Sequence, residues 1–124
     1  MKSHTVLLVL EEPRDLQVYG DLLRARGYKT VICASPGEGI NLLESQAISA
    51  VIVSQDTPAF EGRPVLERSL RLHPKVPVLI VARVLDIHFY LDAMDLGAAD
   101  YLERPAPNDL AWVVETQIRR GAVA

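Results

Sequence analysis

Short apolar segments alternate along this chain with longer segments that have a helical period. Five short runs are rich in β-branched residues, and three of them are almost continuously apolar, as is typical of strands covered on both faces. The predicted strands span residues 5–10, 28–33, 50–54, 78–81 and 100–103.

Five helices are predicted after these strands, because apolar residues recur there at the spacing of an amphipathic helix. The second helix begins with a capping box, in which Ser35 precedes Glu38 and proline takes the first helical position. Gly27 and Gly97 are predicted to end the first and fourth helices. The predicted helices span about 14–26, 35–47, 63–73, 86–96 and 108–120.

Strand–helix alternation with short connections predicts a single α/β domain over residues 1–124. We expect a doubly wound, five-stranded parallel sheet with helices on both faces. Ligands of such sheets bind beyond the carboxyl ends of the strands. The segments that decide function are therefore 10–13, 54–58, 82–84 and 104–105.

Composition removes several classes of function. The 124 residues carry a net charge of -3 without a basic stripe, so we expect no direct nucleic-acid binding. We expect no membrane association, because no apolar run approaches the length of a membrane helix. The single cysteine, Cys33, suits a reducing compartment, and we expect a cytoplasmic protein.

Motifs at the strand ends carry a family resemblance. They are Val6–Val9 followed by Glu11-Glu12-Pro13, then Arg26-Gly27-Tyr28, Pro58–Gly62, Pro77–Ile80 and Gly97–Pro105. In this order and spacing they resemble the receiver domain of bacterial response regulators in two-component signalling. The resemblance implies a flavodoxin-like sheet in the order 2-1-3-4-5. It also implies phosphoryl transfer from a histidine kinase to an aspartate after the third strand, with Mg²⁺ held by acidic residues.

The resemblance also locates a phosphoacceptor pocket, which is degenerate in this chain. Counted back from Pro58, the acceptor position holds Ser54, and a serine cannot form an acyl phosphate. The family's hydroxyl position is Ala82, and its lysine position is Arg104, whose planar fork does not replace a point charge. We therefore expect no aspartyl-phosphate cycle. The pocket residues are Leu10, Glu11, Glu12, Ser54, Asp56, Ala82 and Arg104.

The segment after the first strand bears on metal binding. Leu10 occupies the first acidic position and offers no oxygen to a hard cation. We predict no cofactor and no metal, and the alternative is Mg²⁺ held by Glu11 and Glu12. We also expect one of these glutamates to pair with Arg104, which would close the pocket without a metal. Asp56 is either a displaced acceptor or a loop aspartate that binds local backbone N–H groups.

The leading functional hypothesis is a pseudo-receiver: a phosphorylation-independent protein-interaction module without enzymatic activity. Its expected partners are a kinase, an output domain or a second copy of itself. The alternative is a receiver phosphorylated unconventionally at Asp56 or Ser54. A small-molecule enzyme on the same fold is disfavoured, because two carboxylates after the first strand would repel a phosphate group.

Receiver domains commonly form dimers and bind targets through the face of the fourth helix, fifth strand and fifth helix. On that face, the expected interaction residues of this chain are Tyr90, Tyr101 and Trp112. A homodimer through this surface is one possibility. Ordinary packing with scattered exposed apolar groups is the other.

Overall fold

The computed structural model describes residues 4–57 and 59–123. It contains a five-stranded sheet in which all neighbouring strands are parallel, in the order β2-β1-β3-β4-β5. The strands are β1 Thr5–Val9, β2 Lys29–Cys33, β3 Ala50–Gln55, β4 Val78–Ala82 and β5 Asp100–Glu103. The predicted flavodoxin-like architecture and strand order are confirmed.

Five helices cover the two faces of this sheet. They are α1 Pro13–Ala25, α2 Pro36–Ser45, α3 Arg63–Leu72, α4 Ile87–Leu96 and α5 Pro107–Val123. Helices α2, α3 and α4 share one apolar core with the sheet, while α1 and α5 share the other. Among the helices of the described residues, none is both long and apolar enough to cross a lipid bilayer.

Alternate residues of the central strands supply the two cores. Leu7 and Val9 of β1 point to the α2–α4 side, whereas Val6 and Leu8 point to the α1–α5 side. Every residue of β3 is buried. This burial on both faces explains why the central strands are nearly continuously apolar.

The predicted helix ends have a clear local cause. Ser35 Oγ accepts a hydrogen bond from the backbone N–H of Glu38 at 3.3 Å, as in a capping box. Gly27 and Gly97 have φ angles of 94° and 115°, which glycine adopts without a Cβ clash. Gly97 is the residue at which α4 ends.

The sheet brings the segments singled out by the sequence to one edge. Because parallel strands end at the same edge, the loops after β1, β3, β4 and β5 converge there. In the register of the sheet, Ser54 pairs with Val81, and Gln55 pairs with Ala82. Pro58, from which the acceptor position is counted, lies outside the described residues.

Candidate functional site

A cavity of about 500 Å³ opens at the carboxyl edge of the sheet. It brings together four of the predicted pocket residues, namely Glu12, Asp56, Ala82 and Arg104. Its remaining lining residues are Arg14, Asp15, Tyr19, Val81 and Arg83. Glu11 lines a shallower neighbouring depression, and Leu10 is buried in the core beneath α1 and α5.

Ser54, at the acceptor position, lies near the carboxyl end of β3 and is only 8% exposed. Its hydroxyl oxygen accepts a hydrogen bond from the backbone N–H of Glu11 at 3.2 Å. This bond ties β3 to the loop between β1 and α1. Ser54 therefore acts here as a buried polar link between β3 and the β1–α1 loop.

The principal electrostatic feature of the cavity is Arg83, which follows the last residue of β4. Its Nη2 donates to Glu12 Oε2 at 2.8 Å. Its Nε lies 3.2 Å from Asp56 Oδ1, but the N–H does not point at that oxygen, so this contact is an ion pair. The negative charges of Asp56, and then of Glu12, raise the pKa of Arg83 and keep it cationic.

Arg83 therefore connects three loops. Glu12 belongs to the β1–α1 loop, where it also caps α1 by accepting from the backbone N–H of Arg14 at 3.3 Å. Asp56 follows β3, and Arg83 itself begins the β4–α4 loop. We call this group of Glu12, Asp56 and Arg83 the arginine clamp.

The expected pairing of Glu11 or Glu12 with Arg104 is wrong. Arg104 is exposed and has a φ angle of 41°, and its backbone N–H donates to the carbonyl of Ala82 at 2.9 Å. Within residues 4–57 and 59–123, its side chain forms no ion pair. Arg83 takes the role instead. Asp56 accordingly forms an ion pair with the side chain of Arg83. One of the two alternatives drawn from the sequence was that Asp56 would bind local backbone N–H groups.

Sequence reasoning reached the segment that contains Arg83 without assigning the residue a role. The available signal was a cationic side chain directly after a fully buried strand, at the edge where acidic loops converge. A charged side chain directly after a buried apolar strand must reach either solvent or a residue of opposite charge, because leaving it buried and unpaired would be costly.

Glu11 lies in a small acidic group at the mouth of the site. A side-chain hydrogen bond with Glu61, followed by burial and the negative charges of Glu61 and Asp56, raises the pKa of Glu11 to about 7. Two close carboxyl groups cannot both ionise without repulsion, so they retain a proton well above the usual range. Near neutral pH, Glu11 is therefore protonated in a large fraction of molecules.

This raised pKa predicts a pH-dependent stability. The folded state holds the Glu11 proton up to about pH 7, whereas the unfolded state releases it near pH 4.5. The unfolded state thus binds fewer protons over that interval, and the free energy of unfolding should fall as pH rises through it. Urea unfolding of the unsubstituted chain and of Glu11→Gln at several pH values measures the difference. A difference that stays constant with pH would contradict the shared proton.

Tyr101 occupies a buried position in β5, with 7% of its surface exposed. Its hydroxyl donates to Oε1 of the buried Gln55, and the ring of Tyr90 meets it edge-on at 5.6 Å. The expectation that Tyr101 contributes to an exposed interaction face is therefore wrong, because its side chain is buried. Tyr90 is half-buried, and Trp112, with 65% exposure, is the one residue of the three that is widely exposed.

The described residues offer no metal centre of the usual kind. Across residues 4–57 and 59–123, no three or more His, Cys, Asp or Glu side chains form a group able to hold a metal ion. Two of the three carboxylates that line the cavity, Glu12 and Asp56, are engaged by Arg83. Leu10 contributes a buried apolar side chain.

Comparison with known sequences gives a family match over most of the chain. The family model described as "Response regulator receiver domain" matches residues 6–115. An NtrX-like response regulator of Rickettsia bellii is 26% identical over 106 residues, which cover 83% of this chain and 22% of the relative. The chain spans about a quarter of the length of the NtrX-like relatives and about half the length of two other curated relatives that it matches.

Solved structures show the same architecture. A CheY-like receiver domain protein from Methanospirillum hungatei has a TM-score of 0.90 at 22% identity, over 98% of both chains. A receiver domain protein from Clostridium thermocellum has a TM-score of 0.86 at 26% identity, covering 97% of this chain and 98% of the other. These similarities extend over nearly the whole chain.

Proposed function

The chain belongs to the response regulator receiver family of two-component signalling, and on that premise we propose that it acts through protein contacts without an aspartyl-phosphate cycle. The arginine clamp is the observation that carries this proposal. It joins the cation Arg83 to two of the three carboxylates that line the cavity, Glu12 and Asp56. The loops around the cavity are thereby tied together without a phosphoryl group.

The chemistry at the acceptor position supports the proposal. A serine nucleophile needs a base within hydrogen-bond reach, and the contact of Ser54 Oγ is with a donor, the backbone N–H of Glu11. Asp56 supplies a carboxylate directly after β3, but its side chain is only 13% exposed and is paired with Arg83. Both routes to an unconventional phosphorylation are therefore disfavoured.

The residues present do not fit the Mg²⁺ ion that the family implies. A hard cation requires several oxygen ligands with negative charge. Leu10 supplies none, Glu12 and Asp56 are both paired with Arg83, and the raised pKa of Glu11 leaves that carboxyl protonated in a large fraction of molecules near neutral pH. Asp15, the third carboxylate of the cavity, also has a raised pKa, chiefly because of its burial. We therefore assign no step to a metal ion.

The proposed role is a non-enzymatic interaction module in the cytoplasm. Receiver domains in two-component systems interact with kinases and output domains, and such proteins are the first candidates here, together with a second copy of this chain. A homodimer through α4, β5 and α5 remains part of the proposal. The proposal does not include direct nucleic-acid binding, because the net charge of the chain is -3.

Acetyl phosphate provides the direct test. The chain is incubated with acetyl phosphate and Mg²⁺ and its intact mass is measured, alongside Asp56→Asn. We expect both proteins to remain unmodified. A mass gain of one phosphate that disappears in Asp56→Asn would overturn the proposal and establish Asp56 as an acceptor. A gain that persists in Asp56→Asn would also overturn it and would direct attention to Ser54.

A further inference from the structure

Arg83 differs from the other cations of the cavity in the contacts that it makes. Three arginines line the cavity, Arg14, Arg83 and Arg104. Within the described residues, Arg83 forms two ion pairs, whereas the side chains of Arg14 and Arg104 form none. Its partners, Glu12 and Asp56, are two of the three carboxylates that line the cavity. These two negative charges therefore share one cation that the chain itself supplies.

The backbone holds Arg83 in the position from which it reaches both carboxylates. The N–H of Arg83 donates to the carbonyl of Gln55, at the end of β3, at 3.4 Å. The preceding residue, Ala82, is buried, and its carbonyl accepts from the backbone N–H of Arg104 at 2.9 Å. The start of the arginine side chain is thus fixed between β3 and the β5–α5 loop. Less conformational entropy is lost when ion pairs form from a fixed position.

The burial of Asp56 distinguishes this contact from the surface ion pairs of the chain. The side chain of Asp56 is 13% exposed, whereas every other side chain in an ion pair of the described residues is at least 39% exposed. The Nε atom of Arg83, which lies 3.2 Å from Asp56, is itself buried. An uncompensated carboxylate at this depth would be costly, so the position requires a cation.

A divalent ion and the guanidinium group of Arg83 would need the same carboxylate oxygens. Mg²⁺ binds to protein carboxylates and completes its coordination with water. The oxygens available for this, Glu12 Oε2 and Asp56 Oδ1, lie 2.8 Å and 3.2 Å from nitrogens of Arg83. A divalent ion at these oxygens would lie against the guanidinium, and like charges at such short range repel each other. Occupation by one cation therefore excludes the other.

We propose that Arg83 is a tethered substitute for a divalent ion, which supplies the positive charge that Glu12 and Asp56 require and keeps metal ions away from them. The β1–α1, β3–α3 and β4–α4 loops are consequently held together whether or not divalent ions are present. Metal binding appears only when the arginine is removed. This inference rests on the proposed function, in which the arginine clamp holds these loops without a phosphoryl group.

The test compares the parent chain with Arg83→Gln, which removes the positive charge and keeps a polar side chain. Thermal unfolding is followed by circular dichroism in EDTA, in MgCl₂, and in NaCl of the same ionic strength. Mg²⁺ should raise the Tm of Arg83→Gln by at least about 3 °C above its value in NaCl, because a ligand that binds the folded state stabilises it. It should shift the Tm of the parent by less than about 1 °C. Titration with Mn²⁺, whose free-ion EPR signal falls on binding, measures binding directly.

Arg63→Gln is the matched control. Arg63 also contacts two carboxylates, Glu67 at 3.5 Å and Asp92 at 3.2 Å, but all three side chains are more than 40% exposed. This variant should gain no response to Mg²⁺. The double variant Arg83→Gln/Asp56→Asn should lose the response, because one of the two carboxylates is then neutral. If Arg83→Gln does not fold in EDTA, the proposal requires that Mg²⁺ restores the circular dichroism spectrum of the folded chain.

Three outcomes would overturn the proposed role of Arg83. They are binding of Mn²⁺ by the parent as tightly as by Arg83→Gln, no response of Arg83→Gln to divalent ions, and an equal response of Arg63→Gln. If acetyl phosphate leaves the parent unmodified in any of these cases, only the role of Arg83 is refuted. A phosphate mass gain in a parent chain that does not respond to divalent ions would instead refute the proposed function and leave the role of Arg83 in place.

Discussion

Replacing Gly62 by alanine is expected to lower the free energy of unfolding by about 3 kcal/mol, the upper part of the range for overpacked cores. A Cβ at this position would lie 2.2 Å from Val53 Cγ1 and 3.1 Å from the backbone oxygen of Ser54. Val53 is fully buried, so neither neighbour can move without disturbing β3. Urea unfolding of the variant measures the effect.

Gly37→Ala is the matched control for this prediction. It makes the same chemical change near the start of α2, where an added Cβ has no atom within 4 Å. Alanine in a helix is favoured over glycine by up to about 1 kcal/mol, so this variant should be as stable as the parent or more so. Equal stability of the two variants would contradict the close approach of Gly62 to β3.

The fold was predictable because the pattern of apolar residues along the sequence indicates which strand and helix faces are buried. The central strands lie between two helical layers, so they are apolar over most of their length, and in β3 polar residues occur only at its carboxyl end. Helix ends were less predictable. Gly121 was expected to follow the end of α5, yet the helix continues to Val123, because Gly121 does not adopt the left-handed conformation that ends α4 at Gly97.

The positions of the site were predictable by counting along the motifs, but its contacts were not. Arg83 and Arg104 each follow a parallel strand beside the cavity, and the sequence does not say which one reaches Glu12. The answer depends on the backbone, which turns at Arg104 with a φ angle of 41°. Side-chain direction of this kind is set by tertiary structure rather than by residue spacing.

The burial of Tyr101 illustrates the same limit within a short strand. Only one of the four residues of β5, Tyr101, is buried. The alternation of residues along an edge strand does not by itself indicate which of its faces is covered. The buried Gln55 on β3 provides the missing information, since its side chain accepts the tyrosine hydroxyl. A buried hydroxyl without such a partner would be costly.

Returning the family's acidic residue to the acceptor position, by Ser54→Asp, is expected to destabilise the domain relative to Ser54→Asn by about 1–3 kcal/mol near neutral pH, the usual cost of an unsatisfied buried polar group. The position is 8% exposed, and the cation nearest to the cavity's carboxylates, Arg83, is already paired. Asparagine is nearly isosteric with aspartate but uncharged, so the comparison isolates the effect of the charge.

Burial and the neighbouring carboxyl groups of Glu11 and Asp56 should raise the pKa of the introduced aspartate. Its folded-state pKa would then exceed the unfolded value, so the difference in unfolding free energy between Ser54→Asp and Ser54→Asn should shrink toward about pH 4, near the ordinary aspartate pKa. Urea unfolding at acidic and neutral pH measures this difference. We expect no phosphate mass gain in Ser54→Asp with acetyl phosphate and Mg²⁺, because Leu10, Ala82 and Arg83 still deny the metal and the phosphoryl group their partners. Efficient phosphorylation of Ser54→Asp would show instead that one substitution alone separates this chain from a conventional receiver.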